Sequence, residues 1–116
     1  MRLDILAAIV TSLIGCAYAS GYDVRTIVQQ ATIYDGRTIT VRGVIVRHDL
    51  FLNLYSRDRQ VCIGLLVSND LRESLYQYEG ETIAVSGRLH AQGCGRDAMC
   101  VEHLCGPAVL RDVTKN

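Results

Sequence analysis

Apolar and polar residues alternate along two long stretches, Arg37 to His48 and Glu81 to His90. That period of two predicts half-buried strands. The stretches open on the same phrase. Tyr34-Asp35-Gly36-Arg37-Thr38-Ile39-Thr40-Val41-Arg42-Gly43 returns as Tyr78-Glu79-Gly80-Glu81-Thr82-Ile83-Ala84-Val85-Ser86-Gly87. Each copy reads as an acid-Gly turn that launches a strand and meets a second glycine, where the chain must bend or bulge. In the first copy the apolar parity changes from Ile39 and Val41 to Val44 and Val46, which predicts a bulge at Gly43. In the second copy Ile83, Val85 and Leu89 keep one parity through Gly87.

Other patterns fill in the rest. Val24, Ile27, Val28 and Ala31 fit one face of a short helix capped by Asp23 and running to about Thr32. Leu50, Leu52 and Leu54 alternate with Phe51, Asn53 and Tyr55, giving a strand Leu50 to Tyr55. Ser56 to Gln60 is a polar, basic turn, and the apolar run Val61 to Val67 suits a buried strand. Ser68-Asn69-Asp70 starts a second helix with Leu71, Leu75 and Tyr76 on its apolar face. Ala91 to Gly106 is a cysteine-rich loop, and Ala108 to Val113 is the last strand. Helix, three strands, short helix and two strands is the element order of a five-stranded oligonucleotide/oligosaccharide-binding (OB) barrel, all-β with short helices and Greek-key topology.

The N-terminus is expected to be an export signal. Arg2 precedes an apolar stretch, Ile5 to Ile14, that is too short to span a bilayer as a helix. Two processing readings follow. Leu13-Ile14-Gly15-Cys16 is similar to a bacterial lipobox, with a signal over 1–15 and a lipid on Cys16. Ala17-Tyr18-Ala19 is an A-x-A site, with a signal over 1–19 and a barrel domain over 20–116. Either route removes Cys16 as a free thiol and leaves Cys62, Cys94, Cys100 and Cys105. An even number in an oxidising compartment predicts two disulfides with three possible connectivities. Cys94, Cys100, His103 and Cys105 form the competing metal set, but their spacing lacks paired C-x2-C knuckles; no metal or cofactor is expected.

The mature chain resembles the small exported bacterial OB-fold proteins, some of them lipoproteins, in which a leading helix runs into Y-[DE]-G-[KR]-x-[IV]-x-V-x-G. Tyr34 to Gly43 carries that opening and Tyr78 to Gly87 the matching fourth strand. Further resemblance lies in Cys62-Ile63-Gly64-Leu65-Leu66-Val67 and Gly106-Pro107-Ala108-Val109-Leu110. The resemblance implies a fold and a compartment but no catalytic residues. In such a barrel the third and fifth strands lie side by side and parallel, so the starts of both are neighbours. The expected pairing is therefore Cys62–Cys105, with Cys94–Cys100 closing the intervening loop.

Candidate chemistry is sparse. Phe51, Asn53 and Tyr55 share one face of strand two, His48 sits at the first hairpin, and Arg57 and Arg59 lie just beyond. In an OB barrel that face takes ligand, with aromatics for stacking and cations for phosphate or uronate. The competing reading is a solvated or covered sheet face. Twelve basic residues against twelve acidic ones provide no long-range field for nucleic acid or an anionic membrane. No carboxylate cluster suggests metal-assisted hydrolysis, and no C-x-x-C pair suggests redox chemistry. The expectation is a non-enzymatic binding module of the bacterial envelope, for a small anion, a sugar or a protein segment, touching membrane only through a lipid on Cys16. The alternatives are a lipid-anchored structural or interaction protein and a phosphodiesterase-type enzyme.

Overall fold

The structure, a computed structural model, describes residues 21–94 and 104–116. The expected export segment, Cys16, Cys100 and His103 lie outside the described residues, and so does the expected Cys94–Cys100 bridge as a pair. The element order is β1 (Tyr22–Asp23), α1 (Val24–Gln29), α2 (Ala31–Tyr34), β2 (Thr38–His48), β3 (Phe51–Tyr55), β4 (Cys62–Leu65), α3 (Asn69–Tyr76), β5 (Thr82–His90) and β6 (Val109–Lys115). Strands β2 to β6 close into a five-stranded barrel in the order β2-β3-β4-β6-β5, with β5 returning to pair with β2. The short β1 adds to one edge of β2. This is the OB-like, mostly β fold expected, with α3 between β4 and β5.

The two copies of the repeated phrase make one seam of the barrel. β2 and β5 pair antiparallel from Thr38↔Arg88 to Val44↔Thr82, so Val41 faces Val85 and each isoleucine faces the other copy's glycine, Ile39↔Gly87 and Gly43↔Ile83. The seam has a local twofold through the Val41–Val85 pair. The turns obey it too. Gly36 N–H donates to Leu89 O (2.7 Å) and Gly80 N–H to Ile45 O (2.8 Å). Both glycines adopt left-handed φ, +78° and +84°, which an L side chain rarely tolerates.

The expected bulge at Gly43 is absent. Pairing runs through it without a shift, and Ile39, Val41, Gly43 and Ile45 all face the core. Val44 and Val46 misled the parity reading because outward positions of β2 line clefts instead of open solvent. Gly43 is needed for close approach: a Cβ there would lie 2.6 Å from Val24 Cγ2, 2.7 Å from Tyr55 O and 2.8 Å from Leu54 Cγ. The irregularity sits on β6. Two steps from Ser86 to Arg88 on β5 are matched by three from Thr114 to Arg111 on β6, and Asp112 takes φ +52°, as a bulged extra residue does.

Helices plug and brace the barrel. Val24 and Ile27 of α1 are fully buried. The expected single helix breaks at Gln30, and Asp23, although at the N-cap, makes no side-chain cap bond. Ser68 does cap α3, accepting from Leu71 N–H at 3.3 Å, and Leu75 anchors that helix in the core. β4 and β6 run parallel, Gly64↔Val109 and Leu65↔Leu110, and Cys62 is bonded to Cys105 with Cα atoms 6.2 Å apart. That is the pairing expected from the parallel strands.

Candidate functional site

β3 carries the expected site residues on its outer face, between β2 and β4. The register His48↔Phe51, Val46↔Asn53 and Val44↔Tyr55 places these pairs side by side, since directly opposed residues of an antiparallel pair project to one face. A cleft of about 240 Å³ opens there, lined by Val46, Arg47, His48, Asn53 and Tyr55 and walled by Leu104 and Cys105. The wall is the pair Leu104 and Cys105, tied to β4 by the Cys62–Cys105 bond.

The expected residues therefore fall into three groups. Asn53 is 2% exposed, and its Oδ1 accepts from Cys105 N–H at 3.0 Å. It holds the wall in place, because an amide buried without a partner is costly. Phe51 is half-buried against a small cluster formed by Cys94, Leu104 and Val109, so its ring supports the loop as well as edging the face. Tyr55 is half-buried in the cleft, while His48 is exposed at its rim with Nε2 3.9 Å from the Asp49 carboxylate. Arg57 and Arg59 leave this face. Arg57 lines separate clefts with Asp23, and exposed Arg59 sits in the β3–β4 turn at φ +64°.

That turn is held by Asp58 and Ser56. Ser56 Oγ donates to Asp58 Oδ1 at 2.6 Å, Gln60 N–H donates to the same oxygen at 3.1 Å, and Arg25 pairs with Asp58 Oδ2. The hydrogen bond from Ser56, then that from Gln60, and Arg25 beside them hold the Asp58 carboxyl below its ordinary value. Buried Ser56 makes this turn a structural unit rather than a loose basic loop.

Residues the sequence pattern did not single out complete the face. Arg47 lies 4.0 Å over the Tyr76 ring, and its Nε donates to Asp49 O at 2.7 Å. The Tyr76 hydroxyl donates to Leu50 O at 2.8 Å, so α3 pins the β2–β3 hairpin beside the cleft. Val46 was detectable from strand parity once its partner strand was known. Leu104 and Cys105 carry no local signal of their position. Cys105 also bears on the metal alternative, since its sulfur is committed to Cys62. Cys94 is likewise disulfide-bonded. Among the described residues no three His, Cys, Asp or Glu side chains converge as a metal site.

Compared with known protein families, curated proteins and solved structures, the chain shows no match.

Proposed function

We propose that this protein is an exported, non-enzymatic binding module of the bacterial envelope, and that the outer face of β2 and β3 takes its ligand. The observation that supports the reading is the hollow on that face. Val46, His48 and Tyr55 surround a space of about 240 Å³ whose far wall is fixed by the Asn53–Cys105 hydrogen bond and the Cys62–Cys105 disulfide. A partly apolar hollow with one aromatic ring, one imidazole and a rigid wall suits a sugar ring or a short extended segment better than a polyanion. The zero formal net charge argues the same way. The Cys62–Cys105 bond is at home in an oxidising compartment. The lipid-anchored alternative turns on Cys16, outside the described residues.

The test is amide chemical-shift mapping with neutral oligosaccharides, oligogalacturonate and short peptides as probes. Saturable shifts centred on Val46, His48, Tyr55 and Cys105, lost in Tyr55→Ala, are expected for one of these probes. Saturable binding that leaves those amides unmoved, or survives Tyr55→Ala unchanged, would place the ligand elsewhere.

A further inference from the structure

β1 and β3 occupy the same edge of β2, because β5 fills the other edge, and they leave it at the same point. β1 ends with Asp23 opposite Arg42 and turns away into α1. β3, running the other way, ends with Tyr55 opposite Val44 and turns away at Ser56. Between them Gly43 has no strand partner on that edge among the described residues. Neighbouring strands that part in this way open a gap in the sheet. Here it is a cleft of about 300 Å³ lined by Asp23, Arg42, Gly43, Val44, Arg57 and Thr82. It shares no lining residue with the hollow around Tyr55 and Leu104, so the inference does not rest on the reading above.

The charges in this cleft are uncommitted. Asp23, Arg42 and Arg57 make no side-chain hydrogen bond or ion pair among the described residues. The nearby carboxylate that would have served Arg57 is Asp58, and it is already taken by Ser56, Gln60 and Arg25. Asp23 spends nothing on capping α1. As the direct cross-strand partner of Arg42, its side chain rises from the same side of the sheet. Two guanidinium forks facing one small space repel each other until an anion joins them, and a planar fork matches phosphate or carboxylate oxygens bidentately. A carboxylate beside them is the complement of a donor on the same ligand.

The geometry points to a second binding site, for a compact oxyanion that carries an ammonium or hydroxyl group beside it. Arg42 and Arg57 hold the oxyanion, and Asp23 accepts from the neighbouring donor. A nucleic acid is disfavoured because its phosphates would bring repeated negative charge against Asp23 with no net positive charge on the protein to compensate.

Amide shift titrations with inorganic phosphate and with phosphoethanolamine test the site. Both probes should shift Gly43, Val44 and Thr82 saturably, with phosphoethanolamine the tighter. Arg42→Gln and Arg57→Gln should each weaken binding by about tenfold, the scale of losing one charge-assisted contact, and the double variant should abolish it. Both side chains are exposed, so these variants should keep the native amide spectrum. Asp23→Asn should erase the preference for phosphoethanolamine while keeping phosphate binding. The inference is overturned by the absence of saturable shifts at those amides, by unchanged affinity in the folded double variant, or by an oligonucleotide that binds there more tightly than phosphoethanolamine.

Discussion

Along β2 and β5 the barrel closes by an unbroken antiparallel ladder from Thr38↔Arg88 to Val44↔Thr82. Along β4 and β6 it closes by a short parallel one, Gly64↔Val109 and Leu65↔Leu110, extended by Gly64 N–H to Ala108 O and Leu66 N–H to Leu110 O. The first seam is built from a repeated phrase and needs no covalent help. The second spans a similar separation in sequence, so its loop-closure cost is similar, but it repays that cost with far fewer paired residues. The Cys62–Cys105 bond stands at the mouth of that second seam. It also fixes the Leu104–Cys105 wall of the β2–β3 cleft. Regular pairing supplies the scaffold on one side, and a cross-link shapes a surface on the other.

The largest test of this contrast is to remove the cross-link. Replacing both Cys62 and Cys105 by Ser should destabilise the domain by about 4 kcal/mol on the chain-entropy estimate for the loop it closes. Amide exchange should speed up at Cys105, Leu66 and Val109 before it does at Val41 or Val85. Urea unfolding with a loss below about 1 kcal/mol, or equal acceleration at both seams, would remove the distinction.

A smaller effect separates the two copies within the first seam. Gly43→Ala should cost about 3 kcal/mol, since its new methyl meets two core side chains and a fixed carbonyl oxygen at under 3 Å. Gly87→Ala should cost about 1–2 kcal/mol, because only Arg111 O comes as near as 2.9 Å and the adjoining β6 bulge can give. A greater loss at Gly87 would reverse this ranking.

The smallest effect belongs to the turn that feeds the second seam. Asp58 has a folded-state pKa below the ordinary 3.8, so its contribution is present above 3.8 and lost as pH falls through the depressed value. Asp58→Asn should therefore be slightly less stable than the parent at neutral pH, with the difference vanishing in acid below that range. A gap in unfolding free energy that stays constant from pH 7 into acid would show that the Asp58 charge contributes nothing.

Alternation and turn residues are local, and the elements they govern were legible: the two repeat strands, the Ser68-capped α3, and the strand order that puts Cys62 beside Cys105. The Gly43 environment was not legible, because sequence parity counts apolar residues without knowing what covers the outer face. Val44 and Val46 look like core positions because clefts and the Leu104–Cys105 segment shelter them. Asn53 looked like a ligand contact on strand parity alone, and only the folded loop presents it with the Cys105 amide. Arg57 looked like a neighbour of Tyr55, and only the parting of β1 and β3 carries it towards Asp23 and Arg42.

By itself the sequence determined the barrel, the two repeat strands and the Cys62–Cys105 link, because periodicity, turn chemistry and strand order act over short stretches or through topology. Tertiary structure alone decided where the clefts lie and which charges remain uncommitted. Those depend on segments far apart in the chain meeting at one surface, and no local pattern encodes such a meeting.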